Sequence, residues 1–273
     1  MATVEYRGCK NLVFAEVTKD DDTGYTTGTV TPLAPVAEIA KTVETSSAAH
    51  YYDNKAAIVI ESEGADTVTF TIAVPDDETL AKVTGRTYDS TKKMFIDSKR
   101  EKKYFAVGYI LGEVGQTTDQ KYVWRLKGTF NIPDESSKTD DNSTDASNLS
   151  LVYTGIYTDH EFTNGKGTGV KGSAKGNYIR QSDNVATESQ WFAEVATPDT
   201  SFPAYTLTIT QAAGTTISVT RNGSALANNA VIHSGDVLTI SVTGGTVKVN
   251  NVSFASGNTY TVAGNTAVVS TAG

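Results

Sequence analysis

The chain has 273 residues, 38% of them hydrophobic, and its 31 Asp and Glu outnumber 23 Lys and Arg to leave a net charge of −8. That composition fits a soluble globular chain long enough for two cores, and no apolar run approaches the roughly 20 residues that span a bilayer. The acidic balance argues against tight nucleic-acid binding, which needs clustered Lys and Arg, while remaining compatible with DNA that passes without sticking.

Most signals along the chain are those of short β-strands. Residues 1–7 lack the basic start and apolar stretch of a secretory signal, so the expected compartment is the cytoplasm that makes the chain. The single cysteine, Cys9, has no internal disulfide partner and reads as a small buried residue. In residues 11–17, Leu12 and Phe14 share one side and Val13, Ala15 and Val17 the other, a strand covered on both faces. Asp20, Asp21, Asp22 and Gly24 then mark a turn. Residues 37–55 are polar with little periodicity, which predicts a long functional or assembly loop. Its candidate partner contacts are Ser46, Ser47, His50, Tyr51, Tyr52, Asp53 and Asn54.

Val68, Phe70, Ile72 and Val74 alternate with Thr67, Thr69, Thr71 and Ala73, giving a half-buried strand closed by Pro75. Asp76, Asp77 and Glu78 place acids at a helix start, Leu80 and Val83 stand three apart, and Gly85 stops the one short helix predicted. Residues 104–111 and 121–132 predict a hairpin. Its second strand turns Tyr122, Trp124, Leu126 and Phe130 to a core, and Lys121, Arg125 and Lys127 to water or another chain. An acidic, serine-rich excursion follows over 134–145, then a strand over 149–157 and a glycine- and lysine-rich loop over 165–176. Lys166, Lys171 and Lys175 of that loop read as solvated charge. Trp191 and Phe192 anchor a last strand or turn before a linker at 198–203.

Composition changes at Pro203. After Ala204 the only charged residues are Arg221, Asp236 and Lys248, so the tail is +1 and the part upstream −9. Strands are predicted at 205–210, 216–221, 237–242, 246–249, 259–262 and 267–270, with Asn222 and Gly223 as a hairpin turn. That spacing predicts a small sandwich. The expected domains are therefore 1–200 and 204–273.

No catalytic signature emerges. Gly167, Gly169 and Gly172 have dinucleotide spacing, but no helix signal follows to aim at a phosphate. Asp140, Asp141, Asn142 and Asp145 cluster oxygens as calcium sites do, yet no glycine holds the sixth place and Leu151 takes the twelfth, so a solvated acidic loop is the reading. His50, His160 and His233 are scattered, and no cofactor or metal is expected. Lys92, Lys93, Lys99, Arg100, Lys102 and Lys103 form the densest basic stretch. Beside acids such as Asp140 and Asp141, Lys102 and Lys103 suggest complementary surfaces between copies.

Several stretches, in order over residues 1–200, resemble the major tail protein family of long-tailed phages of Gram-positive bacteria. They are Gly8-Cys9-Lys10-Asn11-Leu12 with Ala15 and Thr18-Lys19-Asp20; the alternating strand into Pro75 with its helix to Gly85; and the run from Tyr122-Val123-Trp124-Arg125-Leu126-Lys127 through Phe130 to Pro133. The resemblance implies a tail-tube-type β-sandwich with one short helix, assembling as hexameric rings stacked into a tube. The tube's lumen holds DNA in transit and the tape measure protein, its ends meet tail terminator and baseplate proteins, and the virion tail is built in the host cytoplasm. Residues 204–273 are similar to the immunoglobulin-like modules that decorate phage tails. A cell-surface adhesin or glycan-binding β protein, and a glycoside hydrolase with an appended module, stay as alternatives.

Overall fold

The computed structural model describes residues 4–115, 119–134 and 148–273, and the protein is mainly β. The chain divides into two compact units, Met1–Tyr178 with Glu194–Thr200, and Ile179–Ala193 with Ser201–Gly273. Asp140, Asp141, Asn142 and Asp145 lie outside the described residues.

The first unit is organised by a nine-stranded sheet. Its strands are β1 (Val4–Asp21), β2 (Gly24–Thr27), β3 (Thr31–Pro32), β4 (Val36–Tyr52), β5 (Lys55–Ile72), β8 (Phe105–Gly115), β9 (Asp119–Phe130), β10 (Leu149–Gly155) and β11 (Gly176–Arg180). They run in the order β2-β1-β8-β9-β10-β5-β4, with β3 on β1 and β11 on β9. A separate two-stranded sheet pairs β6 (Thr87–Asp89) with β7 (Met94–Ile96). The core forms where alternating strands turn one face inward: Val68, Phe70 and Ile72 of β5, Val107 and Tyr109 of β8, and Leu151 and Tyr153 of β10 all belong to it. Phe105, Phe130 and Tyr153 pack as successive tilted and edge-on rings. Val74 lies past the end of β5 and is exposed.

The helix α1 (Asp77–Thr84) forms where acids, spacing and a terminal glycine require it. Asp76 caps it by accepting the Thr79 amide at 2.9 Å. Gly85 ends it at φ 71°, and a Cβ there would sit 2.1 Å from the Glu101 carbonyl oxygen, so only glycine fits.

Three sequence readings of this unit change. Residues 37–55 are not a loop but most of β4 and its turn, and β4 pairs with β5 from Val36↔Ile72 to Tyr52↔Lys55. Asp53 and Asn54 both take positive φ, at 48° and 60°, as a two-residue hairpin turn of the primed kind requires. The missing periodicity has a physical cause: every residue from Lys41 to Gly64 is exposed, so neither face selects for apolar side chains. The second change concerns β9, which is covered on both faces: Val123 joins the main core, Trp124 is fully buried, and Lys127 is buried as well. Cys9 is half-buried rather than buried.

The second unit pairs a five-stranded sheet with a four-stranded one across a shared core. The strands are β12 (Ala204–Thr210), β13 (Thr216–Arg221), β14 (Ser224–Ala225), β15 (Val231–His233), β16 (Val237–Thr243), β17 (Gly245–Val249), β18 (Val252–Phe254), β19 (Asn258–Thr261) and β20 (Thr266–Ala272). The orders are β15-β12-β20-β17-β18 and β14-β13-β16-β19, with β12 and β20 parallel. Leu207, Val247 and Val268 from one sheet meet Val219, Leu238 and Ile240 from the other. Asn222 and Gly223 turn at φ 51° and 81° between β13 and β14. The residues around Trp191 and Phe192 form a second helix, α2 (Glu188–Ala193), not a strand, and Trp191 stacks on Phe202. Six residues are too few for a helical period to stand out in sequence.

Candidate assembly surface

The long β4–β5 hairpin becomes an arm. The pairing of β10 with β5 stops at Gly155↔Asp66, and β4 is the last strand of its sheet. From Thr45↔Glu63 to Tyr52↔Lys55 the two strands therefore pair, among the described residues, only with each other. At the root the register slips between Val43↔Asp66 and Thr45↔Glu63, so Glu44 opposes both Gly64 and Ala65. Such a bulge bends a strand and re-aims the residues beyond it.

Cross-strand partners share a face, which separates the arm's side chains. Thr45 with Glu63, Ser47 with Glu61, and Ala49 with Val59 lie on one side; Ser46 with Ser62, Ala48 with Ile60, and His50 with Ile58 lie on the other. The Ser46 and Ser62 hydroxyls meet at 2.6 Å. Towards the turn the arm is apolar on both faces, with Ile58, Val59, Ile60, Tyr51 and Tyr52 each more than half exposed. Ser46, Ser47, His50, Tyr51, Tyr52, Asp53 and Asn54 all stand on this arm. Lys102 and Lys103 do not: Lys102 covers the Tyr104 ring, and Lys103 pairs with Glu16 at 3.2 Å. Asp140 and Asp141 fall outside the described residues.

A charge cluster fixes the root. Asp66, 2% exposed, receives Lys41 at 2.8 Å, Arg125 at 3.2 Å and Lys175 at 3.3 Å. Burial pushes its carboxyl up, but hydrogen bonds and charge from Lys41 and Lys175 outweigh that and hold it below the usual carboxylate range. Lys175 also reaches Glu63 at 2.6 Å and donates to the Gly64 carbonyl at 2.5 Å. Its ammonium thus clasps both sides of the bulge, joining the body at Asp66 to the arm at Glu63. Burial works against the Lys175 ammonium, yet Glu63 and Asp66 raise its pKa above the ordinary value. Lys175 is therefore not solvated loop charge, and sequence offered no cue, since Asp66 lies 109 positions away.

A second cluster surrounds Lys127, which pairs with Asp20 at 2.6 Å and Asp159 at 2.7 Å. Asp20 accepts the amides of Asp159 and His160, tying β1 to the segment after β10. The Asp20 carboxyl is raised by burial and lowered more strongly by Lys127 and those amides. Here sequence held a cue: Arg125 and Lys127 stand in a strand whose neighbours are buried, and a cation so placed needs a carboxylate partner.

Among the described residues the arm has unpaired backbone on two edges, apolar side chains towards its turn and a braced root. Among the described residues no group of His, Cys, Asp and Glu could hold a metal, and no helix is long and apolar enough to cross a membrane. No protein-family model matches the chain, and no curated protein matches it either.

Proposed function

We propose that this protein is a structural subunit that assembles with copies of itself into stacked rings, forming the tail tube of a long-tailed phage. The observation that carries the reading is the arm. A two-stranded hairpin is marginal in water by itself, and two open edges with exposed apolar side chains are an aggregation hazard unless a partner completes them. Pairing of one arm's β5 edge with the β4 edge of the next copy removes both edges once the series closes, because a head-to-tail contact that closes makes a ring. The ordered resemblance over residues 1–200 supplies the class of assembly, and the acidic chain suits a wall past which DNA moves without binding. The tape measure protein, terminator and baseplate belong to the same proposal, as does decoration of the tube by the charge-poor second unit.

Negative-stain electron microscopy and sedimentation of the full chain over a concentration series test it. Rings or tubes of uniform diameter are the expected result. A chain that stays monomeric at high concentration, even with a tape measure protein or assembly initiator supplied, overturns the proposal.

A further inference from the structure

Beside the root of the arm lies a groove of about 510 Å³ whose lining includes Tyr6, Lys41, Lys121, Arg125, Asn177 and Tyr178. Two of its three cations are already matched, since Lys41 and Arg125 share Asp66. Lys121 is not. Its ammonium sits 3.7 Å from the Tyr178 ring centroid and donates to the Tyr6 hydroxyl at 3.3 Å, and among the described residues it has no carboxylate partner. The Asn177 Oδ1 atom is also buried there without a hydrogen-bond donor among the described residues. The groove therefore lacks two things, a carboxylate and an N–H or O–H donor. A protein segment brings both. A DNA phosphate brings negative charge and no donor.

The arm has the complementary chemistry. Over residues 42–63 it carries Glu44, Asp53, Glu61 and Glu63 against one cation, Lys55. Glu63 is held by Lys175, whereas Glu61 has no cationic partner among the described residues and is exposed. Glu61 stands opposite Ser47, and on the same face it is followed towards the turn by Val59 with Ala49. It thus offers a carboxylate, a nearby hydroxyl donor and apolar surface together, to a groove that also contains Ile39, Leu111 and Val123. In its own chain the arm is exposed along its length, so its acidic face is available to another molecule.

We infer that this groove receives the arm of a second copy of the chain, with Glu61 of the arm paired to Lys121 in the groove. The inference rests on the self-assembly reading above and deepens it by naming where the arm's Glu61 face docks while its edges pair with other arms. Arm and groove are different patches, so the contact is head-to-tail and repeats from copy to copy. Lys121 with its two tyrosines discriminates for a carboxylate on an apolar stem, and a desolvated pair of this kind sets partner choice and register.

The test couples isotopically light and heavy full-length chains with a zero-length carbodiimide and searches by mass spectrometry for mixed-isotope peptides joining Glu61 to Lys121. That mixed peptide is expected. Its absence overturns the inference, whether or not assemblies form. Charge reversal supplies the second arm: K121E alone and E61K alone should each cut the assembled fraction at least tenfold with circular dichroism unchanged. The K121E/E61K double variant should restore it. Undiminished assembly by K121E, or a double variant no better than the singles, overturns the pairing while leaving the tube reading in place. Loss of DNA retention by K121E with assembly intact overturns it in favour of a nucleic-acid groove. A wild-type chain that forms neither assemblies nor the mixed peptide, even with a tape measure protein or assembly initiator supplied, overturns both.

Discussion

Replacing Asp66 by Asn removes one negative charge from beneath three cations and isolates the contribution of the arm's root. Asp66 is 2% exposed, Lys175 is 7% exposed, and Arg125 and Lys41 are partly covered, so the stranded charges cannot all rehydrate. Removing one partner of such a buried cluster costs about 3–5 kcal/mol. Glu63 stays within 2.6 Å of Lys175 and retains part of the attraction, which puts the expected loss at the lower end of that range. With a urea dependence of about 2 kcal/mol/M, a loss of about 3 kcal/mol moves the midpoint down by about 1.5 M. The assay is urea unfolding followed by the fluorescence of Trp124, buried in the first unit, in a Trp191→Phe background that silences the second. The carboxyl's depressed pKa fixes the sign with pH. The Asp66 contribution is present above the unfolded carboxylate value, near 3.8, and is lost as pH falls through the lower folded value. The difference between wild type and D66N should therefore shrink in acid. A midpoint shift below about 0.5 M at neutral pH, corresponding to about 1 kcal/mol, refutes the view that this cluster braces the root.

Three further outcomes follow from the same geometry. Gly128→Ala would place a Cβ 2.3 Å from the Tyr153 ring and 2.4 Å from the Thr154 carbonyl oxygen. The main sheet should lose about 3 kcal/mol, read by urea unfolding, because backbone cannot move aside as a side-chain tip can. In the second unit Arg221 and Asp236 pair at 2.6 Å, each 9% exposed. Arg221→Met should cost about 3–5 kcal/mol, and an added Asp236→Leu should recover much of the loss by removing the orphaned charge, checked by thermal unfolding of both variants. His233 is 3% exposed, and burial depresses its pKa below 6.5, with Asp236 opposing and Arg221 adding to the shift. The unfolded chain therefore binds the proton first, and the second unit should lose stability as pH falls from about 6.5 towards the folded value. A His233→Phe variant that keeps the same acid slope in a pH series of Trp191 unfolding would contradict that assignment.

The parts of the fold legible in sequence are those where burial acts on one face at a time. Val68, Phe70 and Ile72 alternate because their strand has one face on the core, and α1 declares itself through Asp76, its acids and Gly85. Asn222 and Gly223 mark their turn because few other residues accept positive φ in succession. The arm was illegible as structure for the opposite reason: with both faces in solvent, strand pairing leaves no period to read. Its polar run marked the place without giving the shape. Lys127 was misplaced on a wet face because β9 is covered on both sides, where alternation carries no information. The root cluster was invisible because Lys41, Asp66, Arg125 and Lys175 come together only through sheet order, although Arg125 and Lys127 in a buried strand signalled that partners must exist. Lys121 carried the same signal as part of the charged face of that strand, with the ring of Tyr178 arriving only through β11.

The central claim, that the arm exists to join copies, is tested most directly by replacing residues 45–62 with a two-residue Asn-Gly turn and comparing the variant with the full chain by negative-stain electron microscopy and sedimentation. The account predicts rings or tubes from the full chain, and from the variant a folded monomer with the same urea midpoint by Trp124 fluorescence. Normal tubes from the variant, or a full chain that remains monomeric under every condition that supports tube growth, would contradict it.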